Sequence, residues 1–176
     1  MYLQLAPNGN PRRKVDEVTL NKLETMSEVE LLKMHSTVMD ELSRRKVVTT
    51  RNNPIGDYTE WLVCNCLKLM RQKNSKASYD AVDTANGIRY QIKGRQCDAK
   101  RVQFSAIRNL HQQGFDYVIA VVFNKDFTIR FAAKLTHAAT LLLSTHRQHV
   151  NAHILMLNEN CFDTDGVDDI RGLLCV

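Results

Sequence analysis

The spacing of apolar residues changes several times along the chain, and each change marks an element. Residues 1–26 are polar, contain Pro7, Gly9 and Pro11, and predict a partly ordered arm. Ser27 and Glu30 form a capping box. Leu31, His35, Val38 and Leu42, with Leu32 and Met39 beside them, then make one stripe of a helix that ends near Arg45 and calls for a packing surface. Val47 to Arg51 reads as short and extended, and Asn52-Asn53-Pro54-Ile55-Gly56 as a turn. A second helix is expected from Asp57 to about Gln72. Trp61, Leu62, Val63, Leu67 and Met70 give it a broad apolar surface and a central place, with Trp61 in the core.

After a loop at Asn74–Ala77 the period falls to two. Tyr79–Val82 reads as a strand, Asp83–Gly87 as a hairpin turn and Ile88–Ile92 as its partner. Ile88, Tyr90 and Ile92 alternate with Arg89, Gln91 and Lys93, which puts Gln91 and Lys93 on one face. Gln96–Arg101 is a polar loop and Ser105–Gln113 a short helix stopped by Gly114. Tyr117–Phe123 has the unbroken apolar character of a sheet centre, and Phe127–Ala132 pairs with it across Asn124–Asp126. The remainder from Leu135 reads as helix to about His149, a short apolar stretch Ile154–Leu157, and a last helix over Val167–Leu174.

This order implies an α/β fold around a mixed sheet flanked by helices, with an N-terminal helical extension. Residues 1–53 form the arm and first helix, 54–134 the α/β core, and 135–176 a helical extension packed on the same domain. No Gly-rich phosphate loop is present, so no nucleotide cofactor is expected.

Composition narrows the class. With 176 residues, 44% hydrophobic, 24% charged, 7 Gly and 3 Pro, the chain suits one globular domain. The longest apolar runs are far below the roughly 20 residues of a membrane helix. The start lacks the order of a secretory signal, and five Cys without a CxxC predict reduced thiols, so the expected location is cytoplasmic. Charge is uneven. Residues 89–115 carry 6 basic and 1 acidic side chains, a surplus equal to the whole net charge of +5. Arg89, Lys93, Arg95, Lys100, Arg101 and Arg108 would attract phosphate if they share a face, and otherwise form a solvated basic loop.

The candidate chemistry lies just before that segment. Glu60 shares a helical face with Val63, Cys64 and Leu67, so its carboxylate should point inward and need a partner. The D-x-x-E spacing of Asp57 and Glu60 also fits a capping box, which needs no metal. Asp80 is on the first hairpin strand and Asp83 fits the turn. A hard divalent cation prefers oxygen, and Asp80, the Gln91 amide and the Ile92 carbonyl can supply it, with Glu60 reaching it directly or through water. Lys93, next on the same face as Gln91, would orient an attacking water and stabilise charge growing on a phosphate.

These residues, Glu60 in Gly56-Asp57-Tyr58-Thr59-Glu60-Trp61, Asp80 in Ser78-Tyr79-Asp80-Ala81-Val82-Asp83 and Gln91-Ile92-Lys93 in Tyr90-Gln91-Ile92-Lys93-Gly94-Arg95, resemble the PD-(D/E)XK nuclease superfamily in its Gln-x-Lys variant. The resemblance spans about residues 54–123. It implies a restriction-endonuclease-like fold and a Mg²⁺-dependent endonuclease, with Mn²⁺ as a substitute, that cuts DNA with a metal-activated water. Glu60, Asp80, Gln91 and Ile92 become metal ligands, and Lys93 joins Glu60, Asp80 and Gln91 as a catalytic residue. Arg89, Arg95, Lys100, Arg101 and Arg108 become backbone contacts. The chain departs from the pattern in showing one clear strand before the Gln-x-Lys strand, where the family core carries two, and in having no Pro before Asp80. The rival expectation is a non-catalytic nucleic-acid-binding domain with the same fold.

Two features lie outside this match. The Ser27–Arg45 helix offers an apolar face for a homodimer or for its own sheet. His146, His149 and His153 follow H-x2-H-x3-H, which on one helical face would suit zinc. Asn151 and the apolar Ile154–Leu157 argue that a helix ends nearby, leaving the three as capping, packing or DNA-facing groups.

Overall fold

In the computed structural model the described residues are 17–72, 78–108 and 110–174. The chain divides into two units at Arg45 and Lys46. The first contains helices α1 (Glu17–Glu24) and α2 (Glu28–Arg44). Ser27 caps α2 in the expected capping box, with Ser27 and Glu30 exchanging side-chain to backbone hydrogen bonds. The arm expected over residues 1–26 is therefore helical in its last part; residues 1–16 lie outside the described residues. Leu31, Leu32 and Val38, read as a packing stripe, are exposed, as are Val29 and Met34.

The second unit is mixed α/β. Helix α3 (Ile55–Leu67) precedes strands β1 (Met70–Arg71), β2 (Ala81–Val82), β3 (Arg89–Gln96) and β4 (Val102–Gln103). A 3-10 turn over Leu110–Gln112 leads to β5 (Tyr117–Phe123) and β6 (Ile129–Thr136). Then come α4 (His137–Leu142), β7 (Ser144–Arg147), β8 (Ala152–Leu157) and β9 (Val167–Asp169). One sheet has the order β1-β2-β3-β5-β6-β9, the other β4-β8-β7. In the larger sheet only β3 and β5 run parallel.

β5 is buried along both faces, as its apolar run predicts. Val118, Ala120 and Val122 join one core layer with Phe104, Ile107, Leu110, Leu135 and Leu155. Ile119, Val121 and Phe123 join the other, with Leu62, Val63 and Cys64 of α3 and Tyr90 and Ile92 of β3. Trp61 packs at the edge of this second layer and stacks on Tyr58.

Several expected elements differ. α3 ends at Leu67 because Lys68 takes a left-handed conformation (φ 58°), with no Gly to announce it, and the freed residues 70–71 pair with β2. Val47–Arg51 forms no strand, although Val47 and Val48 are buried. The helix expected over Ser105–Gln113 is reduced to the 3-10 turn, because Ile107 is held in a bridge to His153. The C-terminal region, expected to be helical, carries β7, β8 and β9 beside the short α4 and three 3-10 turns. β6 runs on to Thr136, whose hydroxyl caps the short α4 by accepting from the Ala139 N–H. β-branched Thr145 then enters a hairpin that turns at left-handed Asn151. The last helix expected over Val167–Leu174 is instead β9, paired with β6, and a 3-10 turn. Except at Val47–Arg51, strand pairing prevails over short-range helical periodicity. The expected Asn74–Ala77 loop lies outside the described residues. Among the described residues no helix is long and apolar enough to cross a membrane.

Candidate metal and phosphate site

Gly94 controls how closely α3 approaches β3. A Cβ at this position would overlap the Thr59 hydroxyl and lie 3.0 Å from the Ile55 carbonyl oxygen. Thr59 itself is fully buried and donates its hydroxyl to that carbonyl at 2.5 Å. The close contact seats α3 on the face of β3 that carries Tyr90 and Ile92.

Asp80 immediately precedes β2 and extends the ladder on both sides. Its N–H donates to the Tyr90 carbonyl and its own carbonyl accepts from the Gln72 N–H, both at 2.8 Å. The Asp80 Oδ2 accepts from the Ile92 N–H at 2.6 Å and from the Gln91 side-chain amide. Asp80, Gln91 and Ile92 therefore meet at one edge between β2 and β3. Asp83 is committed to the turn: its carboxylate accepts from the Ala85 N–H and the Asn86 side chain at 2.9 and 2.7 Å. Asp83 thus takes the turn role expected of it.

Glu60 belongs to the same electrostatic group. Burial raises its carboxyl above the ordinary value, the nearby Asp80 charge raises it further, and Arg71 opposes both. Arg71, on β1, donates Nε to Glu60 Oε2 at 2.9 Å and a terminal nitrogen to Asp57 Oδ1 at 3.3 Å. Beside them burial pushes the Cys64 thiol up to about 12, with Glu60 and Asp80 adding to the rise and Arg71 opposing it. The capping box read from Asp57 and Glu60 does not form. Pro54 is the N-cap, the Ile55 N–H donates to the Asn53 side chain, and Asp57 accepts from the N–H groups of Thr49 and Thr50 at 2.7 and 2.9 Å.

Lys93 is half-buried and its side chain has no hydrogen-bond or ion-pair partner among the described residues. It shares a face with Gln91, beside Ala120 and Val118 in the parallel register, opposite to the face covered by α3. Glu60 and Lys93 thus approach β3 from opposite sides. Among the described residues, no three His, Cys, Asp or Glu side chains already surround one point as a metal cage. The oxygen set here depends on an amide and a backbone carbonyl in addition to carboxylates.

Compared with known proteins, the chain matches no family model and no curated sequence.

The basic segment divides into tied and free cations. Arg89 bonds Asp116 through its backbone N–H at 2.8 Å and its guanidinium at 3.1 Å, and also donates to the Gln113 carbonyl. Arg95 donates to the Gln103 carbonyl at 2.9 Å. Lys100, Arg101 and Arg108 are exposed and without side-chain partners among the described residues.

Arg71 is not among the expected site residues, because a helix running to about Gln72 leaves it in the last turn. Its one signal was a cation inside the apolar stretch after Glu60. The three histidines read as one helical face are also redistributed: His146 on β7, His149 in a 3-10 turn and His153 on β8.

Proposed function

We propose that this chain is a Mg²⁺-dependent nuclease that hydrolyses phosphodiester bonds in DNA, with a restriction-endonuclease-like core. The observation that carries the reading is the meeting of the Asp80 carboxylate with Gln91 and Ile92 of the Gln-x-Lys strand, beside a second carboxylate, Glu60, whose pKa rises partly because Asp80 is near. The topology supports it. α3 leads into an antiparallel β1-β2-β3 meander, and β5 returns parallel to β3. β1 provides the additional strand before the Gln-x-Lys strand that the sequence did not reveal.

The donor set fits a hard cation. Asp80 and Glu60 offer carboxylate oxygens, the Ile92 carbonyl lies on the strand edge that faces Asp80, and turning the Gln91 amide exchanges its nitrogen for oxygen. Mg²⁺ held there supplies a Lewis acid for the scissile phosphate and lowers the pKa of water. Asp80 and Glu60 hold the site's negative charge, and Arg71 must release Glu60 for that carboxylate to bind, keeping Asp57 as its partner. Lys93, whose side chain has no partner among the described residues, orients the nucleophile and offsets charge on the phosphate oxygens. Lys100, Arg101 and Arg108 hold the backbone independently of sequence.

A non-catalytic nucleic-acid-binding domain is the second reading. It is favoured by the neutralisation of Glu60 by Arg71 and of Asp80 by hydrogen-bond donors, which leaves the carboxylates satisfied without an ion. Incubation with plasmid DNA and Mg²⁺ tests the two. Cleavage that is lost in Lys93→Ala while DNA binding persists supports the nuclease. Binding without cleavage by the wild-type chain, on single-stranded, double-stranded and RNA substrates alike, rejects it.

A further inference from the structure

We propose a zinc site formed by His111, His146 and His153, separate from the carboxylate cluster. His153 lies on β8, the middle strand of the smaller sheet, and is 8% exposed. On one side, the antiparallel register sets His146 of β7 directly opposite, with ring centroids 5.1 Å apart. On the other side, the Ile107 bridge to His153 brings the following 3-10 turn close, so that His111 Nε2 is 3.1 Å from His153 Nε2. The three histidines line one pocket with Gln112 and Asn151.

Two imidazoles on a tetrahedral Zn²⁺, each about 2.0–2.1 Å from the metal, have nitrogens about 3.3 Å apart. The His111–His153 pair already stands near that spacing. The Ser144 hydroxyl bonds His153 Nδ1 at 3.2 Å, leaving Nε2 for the ligand role, as outer-shell partners of zinc-bound histidines do. The third imidazole is not yet in place. The site requires the exposed, cross-strand His146 side chain to turn toward that pair to complete three ligands, with solvent as the fourth, since among the described residues no three such side chains yet surround one point. Imidazole-only ligation favours Zn²⁺ and its neighbours over Mg²⁺, so this pocket and the carboxylate edge differ in the ions they select. Bound Zn²⁺ would join the β7–β8 hairpin to the segment before β5.

The test uses the full chain stripped with a chelator and titrated with Co²⁺ and Zn²⁺. The expected results are one tetrahedral Co²⁺ visible spectrum displaced by Zn²⁺, and a higher thermal midpoint with Zn²⁺. Affinity should fall at least about tenfold in His146→Ala and in His111→Ala, and stay unchanged in Asp80→Asn. His146 is the primary variant because it is exposed, whereas loss of buried His153 can compromise folding. Absence of a tetrahedral spectrum, or equal affinity in wild type, His146→Ala and His111→Ala, overturns the site.

Discussion

Arg71 Nε lies 2.9 Å from Glu60 Oε2, and the same guanidinium reaches Asp57. The chain thereby carries its own counter-ion for the carboxylate that the proposed metal would need. Replacing Arg71 with Met removes the charge while keeping much of the side-chain volume, and leaves Glu60 without its counter-ion and Asp57 with only the Thr49 and Thr50 donors. Stability in chelator should fall by about 1–3 kcal/mol. Mg²⁺ should restore more of it in the variant than in the wild type, because the cation replaces the missing guanidinium. Thermal midpoints with chelator and with Mg²⁺ measure this. An equal Mg²⁺ response in both proteins would separate Arg71 from the ion site.

Glu60 and Asp57 respond to pH in opposite directions although Arg71 touches both. Burial first, then Asp80, raises the folded-state pKa of Glu60 above its ordinary 4.5, so its protonation favours the fold. That contribution is complete below 4.5 and is lost as pH rises through the raised value. Burial also pushes Asp57 up, but the donors of Thr49 and Thr50 and the Arg71 charge outweigh it, leaving it below 3.8. Its contribution is present above 3.8 and disappears as pH falls through the lowered value. Glu60→Gln should therefore raise the urea midpoint at about pH 7 and cut cleavage by about 10²-fold or more. Asp57→Asn should lower the midpoint at about pH 7 and flatten the loss of stability in acid. Urea titrations of the three proteins across this range decide both signs.

The local elements of the site were legible where they depend on short-range chemistry. The Asp83–Gly87 turn is announced by Asn86-Gly87, and Gly87 has the positive φ of 75° that favours glycine there. The alternation around Gln91 and the unbroken run of β5 are also plain in the chain. What could not be read depends on distant pairing. Met70 and Arg71 look like a last helical turn until Val82 and Ala81 pair with them. His111 and His153 are 42 residues apart, and long-range strand pairing through Ile107 brings them together. Lys93 and Glu60 approach β3 from opposite faces, which a strand flanked by two core layers allows and spacing does not reveal.

The contact at Gly94 links packing to the site. Gly94→Ala forces a methyl group into buried Thr59, so either α3 lifts from β3 or the strand bends. Overpacking of this kind costs about 1–3 kcal/mol. Displacement of α3 also moves Glu60, so cleavage should fall further than the loss of folded protein explains. Adding Thr59→Ala removes the overlapping hydroxyl and should recover part of both losses, a coupling expected of touching residues. Urea midpoints and cleavage rates of the two single variants and the double variant measure it; strictly additive effects would mean that the contact does not govern α3.

The tied and free cations of the basic segment should separate in a salt titration. Each phosphate contact contributes about 0.9 to the slope of log affinity against log salt on duplex DNA. Neutralising Lys100, Arg101 and Arg108 should reduce that slope by about one unit per contacting side chain, weaken binding similarly across sequences, and leave the thermal midpoint almost unchanged, because none has an internal partner among the described residues. Arg89→Met should do the reverse. Its guanidinium holds Asp116 and the Gln113 carbonyl at the entry to β5, so its loss lowers the thermal midpoint modestly and changes the salt slope little. DNA affinity measured at several salt concentrations, paired with melting curves, distinguishes the two sets. An unchanged slope in the triple variant would move the proposed DNA-binding surface away from this segment.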